Sequence, residues 1–113
     1  MKYKYHFRPA YNSEDLLIEI FSGVEDKNFI TDLFNSIKEI NPEIESIMDL
    51  WMNDEVIFQV KSDIGFFSIS KDIWDYAFIE SEKDQECMNK INSILLKNIH
   101  FQKVEVDFEN YKL

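Results

Sequence analysis

Carboxylate side chains are the residues of this sequence with the most obvious capacity for chemistry. The 113-residue chain carries 22 Asp and Glu against 12 Lys and Arg, with two His and one Cys. Paired carboxylates can serve as general acid and base, and several around one loop can bind a divalent cation. Pairs such as Asp72 with Asp75, or Asp54 with Glu55, recur along the chain, so spacing does not single out a catalytic pair. No run of Asp ligands with a central glycine predicts a calcium loop.

Motifs for other kinds of catalysis and for cofactors are missing from the sequence. Two glycines in the whole chain leave no room for a phosphate-binding loop or a dinucleotide fingerprint. His6 and His100 lie far apart and outside any zinc-ligand spacing, so both are expected to be structural or surface residues. Cys87 lies on an apolar helix face near acidic residues that would raise its pKa, which favours a core residue. The sequence predicts no catalytic residue, no metal, no cofactor and no enzymatic activity.

The net charge of −10 is concentrated in the middle of the chain. Residues 43–86 contain twelve acidic and three basic residues, whereas the segments on either side are nearly balanced. Such a surface repels nucleic acid and anionic membranes and attracts basic proteins. The only candidate basic face is on the first strand, and the remaining charge opposes it. We therefore expect a basic protein partner, with neither nucleic acid nor membrane as a ligand.

Composition predicts one globular domain over residues 1–113. Hydrophobic residues make up 45% of the chain and aromatic residues 15%, which suffices for a single core. The chain does not open with a basic segment followed by an apolar run, and no apolar stretch reaches the roughly 20 residues that span a bilayer. Cys87 is the only cysteine and has no partner for an internal disulfide. These features predict a protein of the reducing cytoplasm.

The first part of the chain predicts strand and helix segments. Residues 2–8 alternate aromatic with basic side chains, the period-two pattern of a half-buried strand, which Pro9 would end. Residues 15–22 fit either a short helix capped by Ser13 or a strand, and their β-branched and aromatic residues favour the strand. Apolar residues then recur at helical spacing over residues 26–41 and predict a helix.

Four short apolar runs follow, and the turn residues between them indicate an antiparallel meander. The runs are ESIMDLWM, EVIFQVK, FFSIS and IWDYAFIE. In the last run Trp74, Tyr76 and Phe78 alternate and are predicted to share one face, so Asp75 should point the other way. Trp51 and Trp74 are expected in the core, because tryptophan in the strands of a small domain is usually buried.

A second helix and a final strand complete the predicted fold. The segment SEKD, from Ser81, has the pattern of a capping box, and helical spacing continues to Asn98. In KVEVDFENY, Val104, Val106 and Phe108 alternate with acidic residues, which predicts a strand with one solvent-facing side. The result is an α+β class, a mainly antiparallel sheet with a central meander and two amphipathic helices packed against it.

A small, acidic, cysteine-poor α+β domain with the segments RPAY, DLLIEI, DLWMNDEV, GFFSISKDIWDYAFI and EVDFENY resembles the bacterial immunity proteins. These are encoded beside polymorphic or contact-dependent growth inhibition toxins. The resemblance implies a cytoplasmic, non-enzymatic inhibitor that binds and neutralises a cognate toxin domain, often a nuclease. Because a nuclease site is basic, an acidic surface can occupy it. Seven acidic residues are predicted to form the partner-binding surface: Asp54, Glu55, Asp72, Asp75, Glu80, Glu82 and Asp84.

Two other functions stay open at this point. A non-catalytic adaptor or small-ligand-binding module would have an apolar pocket between the sheet and the helices. A small enzyme without a recognisable motif would have a buried pair of Asp or Glu in a cleft.

Overall fold

Seven strands and two helices are formed by residues 2–81 and 83–112, which the computed structural model describes apart from the side chain of Asn53. The strands are β1 (Tyr3–Pro9), β2 (Leu16–Ser22), β3 (Glu43–Leu50), β4 (Glu55–Ser62), β5 (Gly65–Lys71), β6 (Ala77–Glu80) and β7 (Phe101–Lys103). The helices are α1 (Phe29–Ser36) and α2 (Gln85–Lys97). The strand order is β3-β4-β5-β6-β2-β1-β7, antiparallel except for β7 beside β1. The predicted α+β class is confirmed.

The first two strands form a hairpin whose alternating side chains divide between two faces. Tyr5 pairs with Ile20, and both are fully buried on the face that the helices cover. The strand favoured for residues 15–22 is therefore confirmed. Gly23 ends β2 with φ +92°, and a Cβ there would come within 2.5 Å of the Lys2 carbonyl oxygen, so only glycine fits this turn.

Helix α1 confirms the helical spacing after residue 26. Phe29 and Leu33 are buried, and a 3₁₀ turn at Lys38–Ile40 continues the chain beyond the helix. Asn41 then takes a left-handed conformation with φ +50°, which ends the helical segment before Pro42.

The predicted meander is present as β3 to β6, but its last strand is shorter than its sequence pattern suggests. The Asp72 carboxylate accepts hydrogen bonds from the backbone N–H groups of Trp74 and Tyr76, at 2.9 and 3.1 Å. These bonds close a turn over residues 72–76, and β6 begins only at Ala77. The prediction that Trp74, Tyr76 and Phe78 share a strand face is therefore wrong, because two of the three lie in the turn.

Two predictions for the last third of the chain need correction. Helix α2 begins at Gln85, four residues after Ser81. Ser81 Oγ accepts the hydrogen bond from the Asp84 N–H that a capping box predicts, but this bond closes a turn ahead of the helix. The strand predicted from the alternation in KVEVDFENY is not formed there. The last strand is β7, which ends at Lys103, the first residue of that segment. Within that segment, Asp107 caps a 3₁₀ turn at Phe108–Tyr111, so the chain leaves the sheet.

The core lies between the helices and one face of every strand except β3. Cys87 is buried there, as predicted. Burial raises the pKa of its thiol to about 11, a Ser62 hydrogen bond opposes this shift, and the Asp84 charge adds to it. On the opposite face Arg8 is buried with Glu19, at 2.7 Å between Nε and Oε1. The rings of Phe78 and Tyr111 pack against the Arg8 guanidinium, so both sides of this part of the sheet are covered.

Candidate protein-binding surface

Strand β3 is the most exposed element of the sheet. All eight of its residues are exposed, on both faces. Pairing with β4 sets Ile47 opposite Phe58, on the face that the helices cover elsewhere, and Met48 opposite Ile57, on the other face. Ile47 is 59% exposed and Met48 is 43% exposed. The outer edge of the sheet thus presents apolar side chains that no layer of the described chain covers.

The turn that follows β3 adds the most exposed apolar residues of this region. A 3₁₀ turn at Trp51–Asn53 leads to Asp54, whose left-handed backbone (φ +50°) allows the chain to reverse into β4. Trp51 is 75% exposed and Met52 is 80% exposed. The expectation that Trp51 lies in the core is wrong, because a side chain in this turn projects past the end of the sheet.

The next turn lies at the same end of the sheet. Val56 at the start of β4 pairs with Lys71 at the end of β5, so residues 72–76 follow beside the β3–β4 turn. Trp74 is 71% exposed there, and the core prediction for it is also wrong. We call the exposed apolar residues of β3 and these two turns the hairpin surface: Ile44, Ile47, Met48, Leu50, Trp51, Met52, Ile73, Trp74 and Tyr76.

The structure brings together four of the seven acidic residues predicted to bind a partner. Asp54, Glu55, Asp72 and Asp75 lie in or beside the two turns of the hairpin surface. The Asp72 carboxylate is hydrogen-bonded to the backbone of its own turn, whereas Asp54 and Asp75 are exposed. Asp75 is itself a left-handed turn residue, with φ +61°.

The other three predicted residues do not join this group. Glu80 ends β6 at its far end from the 72–76 turn, where it pairs with Ser68. Asp84 accepts a hydrogen bond from the Phe66 N–H at 2.9 Å and so ties the start of α2 to β5. Glu82 lies outside the described residues. The structure thus divides the predicted surface between the two ends of the sheet.

Three further carboxylates belong to the hairpin region but are not among the predicted partner-binding residues. Glu43, Glu45 and Asp49 lie along β3 and are exposed. Across residues 2–81 and 83–112, none of these three forms an ion pair. Their alternation with Ile44, Ile47 and Met48 was visible in the sequence, but only the position of β3 at the sheet edge makes all of them accessible.

Asp26 and Asp32 belong to a hydrogen-bond network that joins the start of β1 to α1. A hydrogen bond from Tyr3 and one from Lys2 lower the pKa of Asp32, and a backbone hydrogen bond from Asn28 lowers that of Asp26. Tyr3 Oη lies 2.6 Å from Asp32 Oδ2. These bonds hold the helix against the sheet. Within the described part of the chain, no group of three or more His, Cys, Asp or Glu is arranged to hold a metal ion.

An apolar depression lies on the other side of the molecule. It has a volume of about 440 Å³ and is lined by Pro9, Leu16, Phe108 and Tyr111, among others. It is open to the surface between the β1–β2 hairpin and the C-terminal 3₁₀ turn, and thus does not lie between the sheet and the helices. Neither helix in the described ranges is long and apolar enough to cross a membrane.

No protein-family model matches the sequence, and no curated protein or solved structure matches it either.

Proposed function

We propose that this protein is a cytoplasmic immunity protein that neutralises a cognate bacterial toxin domain by binding it with the hairpin surface. The observation that supports the proposal is the joint exposure of Trp51, Met52 and Trp74 at one end of the sheet. Large exposed apolar patches on small domains mark interaction sites more often than isolated exposed residues do. A partner that covers these side chains would remove their apolar surface from water, which would stabilise the complex.

The residue types of the hairpin surface are suited to strong protein binding. Tryptophan is among the residues that most often dominate the binding energy of interfaces, and methionine adapts its shape to an irregular partner. Asp54 and Asp75 flank the two tryptophans and remain exposed. Their charges, within a chain of net charge −10, would accelerate the approach of a basic partner.

A toxin domain that acts on nucleic acid fits this chemistry. Such a domain must hold phosphates, so its active-site region is basic, and an acidic protein can cover it. The arrangement of the sequence segments, which resembles that of immunity proteins, supports the same proposal. Inhibition would require burial of the toxin's substrate site and no catalytic group on this chain.

The first experiment is a growth assay with the reading frame adjacent to this one on its chromosome. Its C-terminal domain is expressed alone and together with this protein. We expect arrest of growth in the first case and normal growth in the second. A neighbouring domain that is harmless in both cases would refute the toxin proposal.

Substitution of the tryptophans tests the location of the binding surface. Trp51→Ala and Trp74→Ala should each weaken binding of the purified toxin domain by about 2 kcal/mol, roughly 30-fold, while the thermal midpoint is unchanged. Ile99→Ala is the matched control, since Ile99 is 77% exposed and precedes β7 at the opposite edge of the sheet. Equal effects of all three substitutions would place the interface elsewhere.

The alternative function, a non-catalytic adaptor or small-ligand-binding module, rests on the apolar depression at Phe108 and Tyr111. A ligand there should quench tyrosine fluorescence and raise the thermal midpoint. Phe108→Ala should abolish both effects, whereas Trp51→Ala should change neither.

A further inference from the structure

The outer edge of β3 is an unpaired sheet edge. β3 pairs with β4 on one side, and no described strand lies on its other side. Alternate residues of an edge strand direct their backbone N–H and C=O groups away from the sheet, where another strand can bind them. Register shifts between Ile44 and Ser46, so Glu45 is the bulged residue and the regular edge extends over residues 46–50.

The exposure of both faces of β3 indicates what kind of element would cover this edge. Ile47 is exposed on one face, and Met48 and Leu50 are exposed on the other. A helix laid on the sheet would cover one face and leave the other in water. A strand added beside β3 places its own side chains on both faces, next to Ile47 on one and Met48 on the other. The exposed residues on both faces would then be covered.

Charge distinguishes a foreign strand from a second copy of this chain. Glu43, Glu45 and Asp49 have no ion-pair partner in the described part of the chain. Two copies joined along β3 would bring these acids together, and each copy carries a net charge of −10. Charges of one sign along an edge also oppose its pairing with a second copy. Lysine or arginine in a foreign strand would instead pair with Asp49, and basic residues beyond the paired stretch would reach Glu43 and Glu45.

From these observations we infer that a β-strand of a basic protein partner adds to the outer edge of β3, over residues 46–50, as an eighth strand of the sheet. The inference rests on the proposed function for the identity of the partner, and it specifies the mode of binding. The partner strand carries apolar side chains for Ile47 on one face and Met48 on the other. Its basic residues pair with the acids of β3.

Amide hydrogen exchange measured by NMR tests this mode directly, with the adjacent toxin domain as the probe. Upon binding, alternate amides of residues 46–50 should exchange at least tenfold more slowly, because only every second N–H points outward. Binding that leaves exchange in β3 unchanged would overturn the inference and leave the proposed function intact.

Two proline variants provide a second test that does not depend on side chains. Adjacent residues of a strand direct their N–H groups to opposite edges, so one of Ile47→Pro and Met48→Pro removes an outward donor and the other disrupts pairing with β4. The variant that keeps the wild-type thermal midpoint is the outward one. It should bind the toxin domain at least tenfold more weakly than the alanine variant at the same position. Equal affinity of these two variants would overturn the inference.

A second probe separates failure of the inference from failure of the proposed function. If the adjacent domain does not bind, a soluble β-hairpin peptide with isoleucine and lysine on both of its faces replaces it. Slower exchange in β3 would then support strand addition while the toxin proposal fails, and unchanged exchange would refute strand addition as well. Sedimentation of the protein alone completes the set, since a dimer with protected β3 amides would identify a second copy as the occupant.

Discussion

The two ends of the strand order use apolar residues in opposite ways. In β1 and β2, Tyr5 and Ile20 are fully buried beneath the helices, whereas in β3 even Ile47 and Met48 are exposed. Both regions have alternating sequences with β-branched residues. The difference arises because α1 and α2 cover only part of a wide sheet. Apolar residues therefore stabilise the covered part, and in the uncovered part they remain available to a partner.

This division predicts different costs for similar substitutions. Burial of a large apolar side chain contributes about 1.5–3 kcal/mol, and the cavity left by its removal adds to the loss. An exposed apolar side chain contributes little to stability, although it can contribute strongly to binding. Matched substitutions in the two regions can therefore break or sharpen the comparison.

The largest expected contrast concerns two phenylalanines close in sequence. Phe101 is buried in β7 against Tyr3, with 4.9 Å between ring centroids, whereas Phe108 is 44% exposed after the chain has left the sheet. Phe101→Ala should lower the free energy of unfolding by about 3–5 kcal/mol, and Phe108→Ala by about 1 kcal/mol or less. Urea unfolding measures both. Comparable losses would mean that the C-terminal segment packs as a core element.

Two isoleucines test the comparison within the sheet itself. Ile20→Ala in β2 should cost about 2–5 kcal/mol, because it empties space between the sheet and the helices. Ile47→Ala in β3 should change stability by about 0.5 kcal/mol at most, because water already surrounds the side chain. A large loss for Ile47→Ala in the free protein would contradict an uncovered β3.

A hydroxyl group provides the next contrast. Tyr5 Oη donates a hydrogen bond to Asn92 Oδ1 at 3.0 Å, deep between β1 and α2. Tyr5→Phe should cost about 1–3 kcal/mol because the buried Asn92 oxygen loses its partner. Tyr76→Phe, in the exposed turn, should be neutral. A neutral Tyr5→Phe variant would show that the buried amide has another donor.

The smallest effect on stability near neutral pH is expected from the buried side chains that lose a proton at alkaline pH. Burial raises the pKa of Tyr3 and of Tyr5 to about 12, and that of Cys87 to about 11. The unfolded chain releases these protons at lower pH, so the folded state binds more protons and its stability falls as pH rises. Unfolding measured from about pH 8 to about pH 11 should show this decline. A flat profile would contradict the burial of these groups.

The acidic residues beside the hairpin surface can be tested through the rate of association with the proposed toxin domain. Asp54→Asn combined with Asp75→Asn keeps side chains that tolerate left-handed turns and removes two charges. This variant should associate about tenfold more slowly at low salt than the control with Glu14→Gln and Glu86→Gln. The difference should shrink as salt is added. Equal rates for both variants would remove these two acids from the interface.

Sequence patterns predicted most of the fold because they reflect local rules. The alternation of residues 2–8, the helical spacing after residue 26 and the four short runs of the meander each determine an element almost independently of its neighbours. Predictions failed where a side chain competed with the backbone pattern. Asp72 and Asp107 each accept backbone hydrogen bonds that close a turn, and both interrupt alternation that would otherwise continue as a strand.

The candidate site was predictable only in part. Charge counting identified residues 43–86, and four of the seven predicted acids lie at the hairpin surface. The burial expected for Trp51 and Trp74 was wrong, because residue type predicts an average environment and these two lie in turns at the end of the sheet. Closeness in sequence to Asp75 predicts Glu80 and Asp84 on the same surface, but the fold places them toward the other end of the sheet.

By itself the sequence determined the class of fold, the order of its main elements, the acidic middle segment and the lack of familiar catalytic motifs. These properties depend on composition and on the spacing of neighbouring residues. Tertiary structure alone decided that β3 is an edge and that the helices stop short of it, because strand order and layer coverage depend on contacts between distant segments. For the same reason, only the folded chain shows which of its many apolar residues remain exposed for a partner.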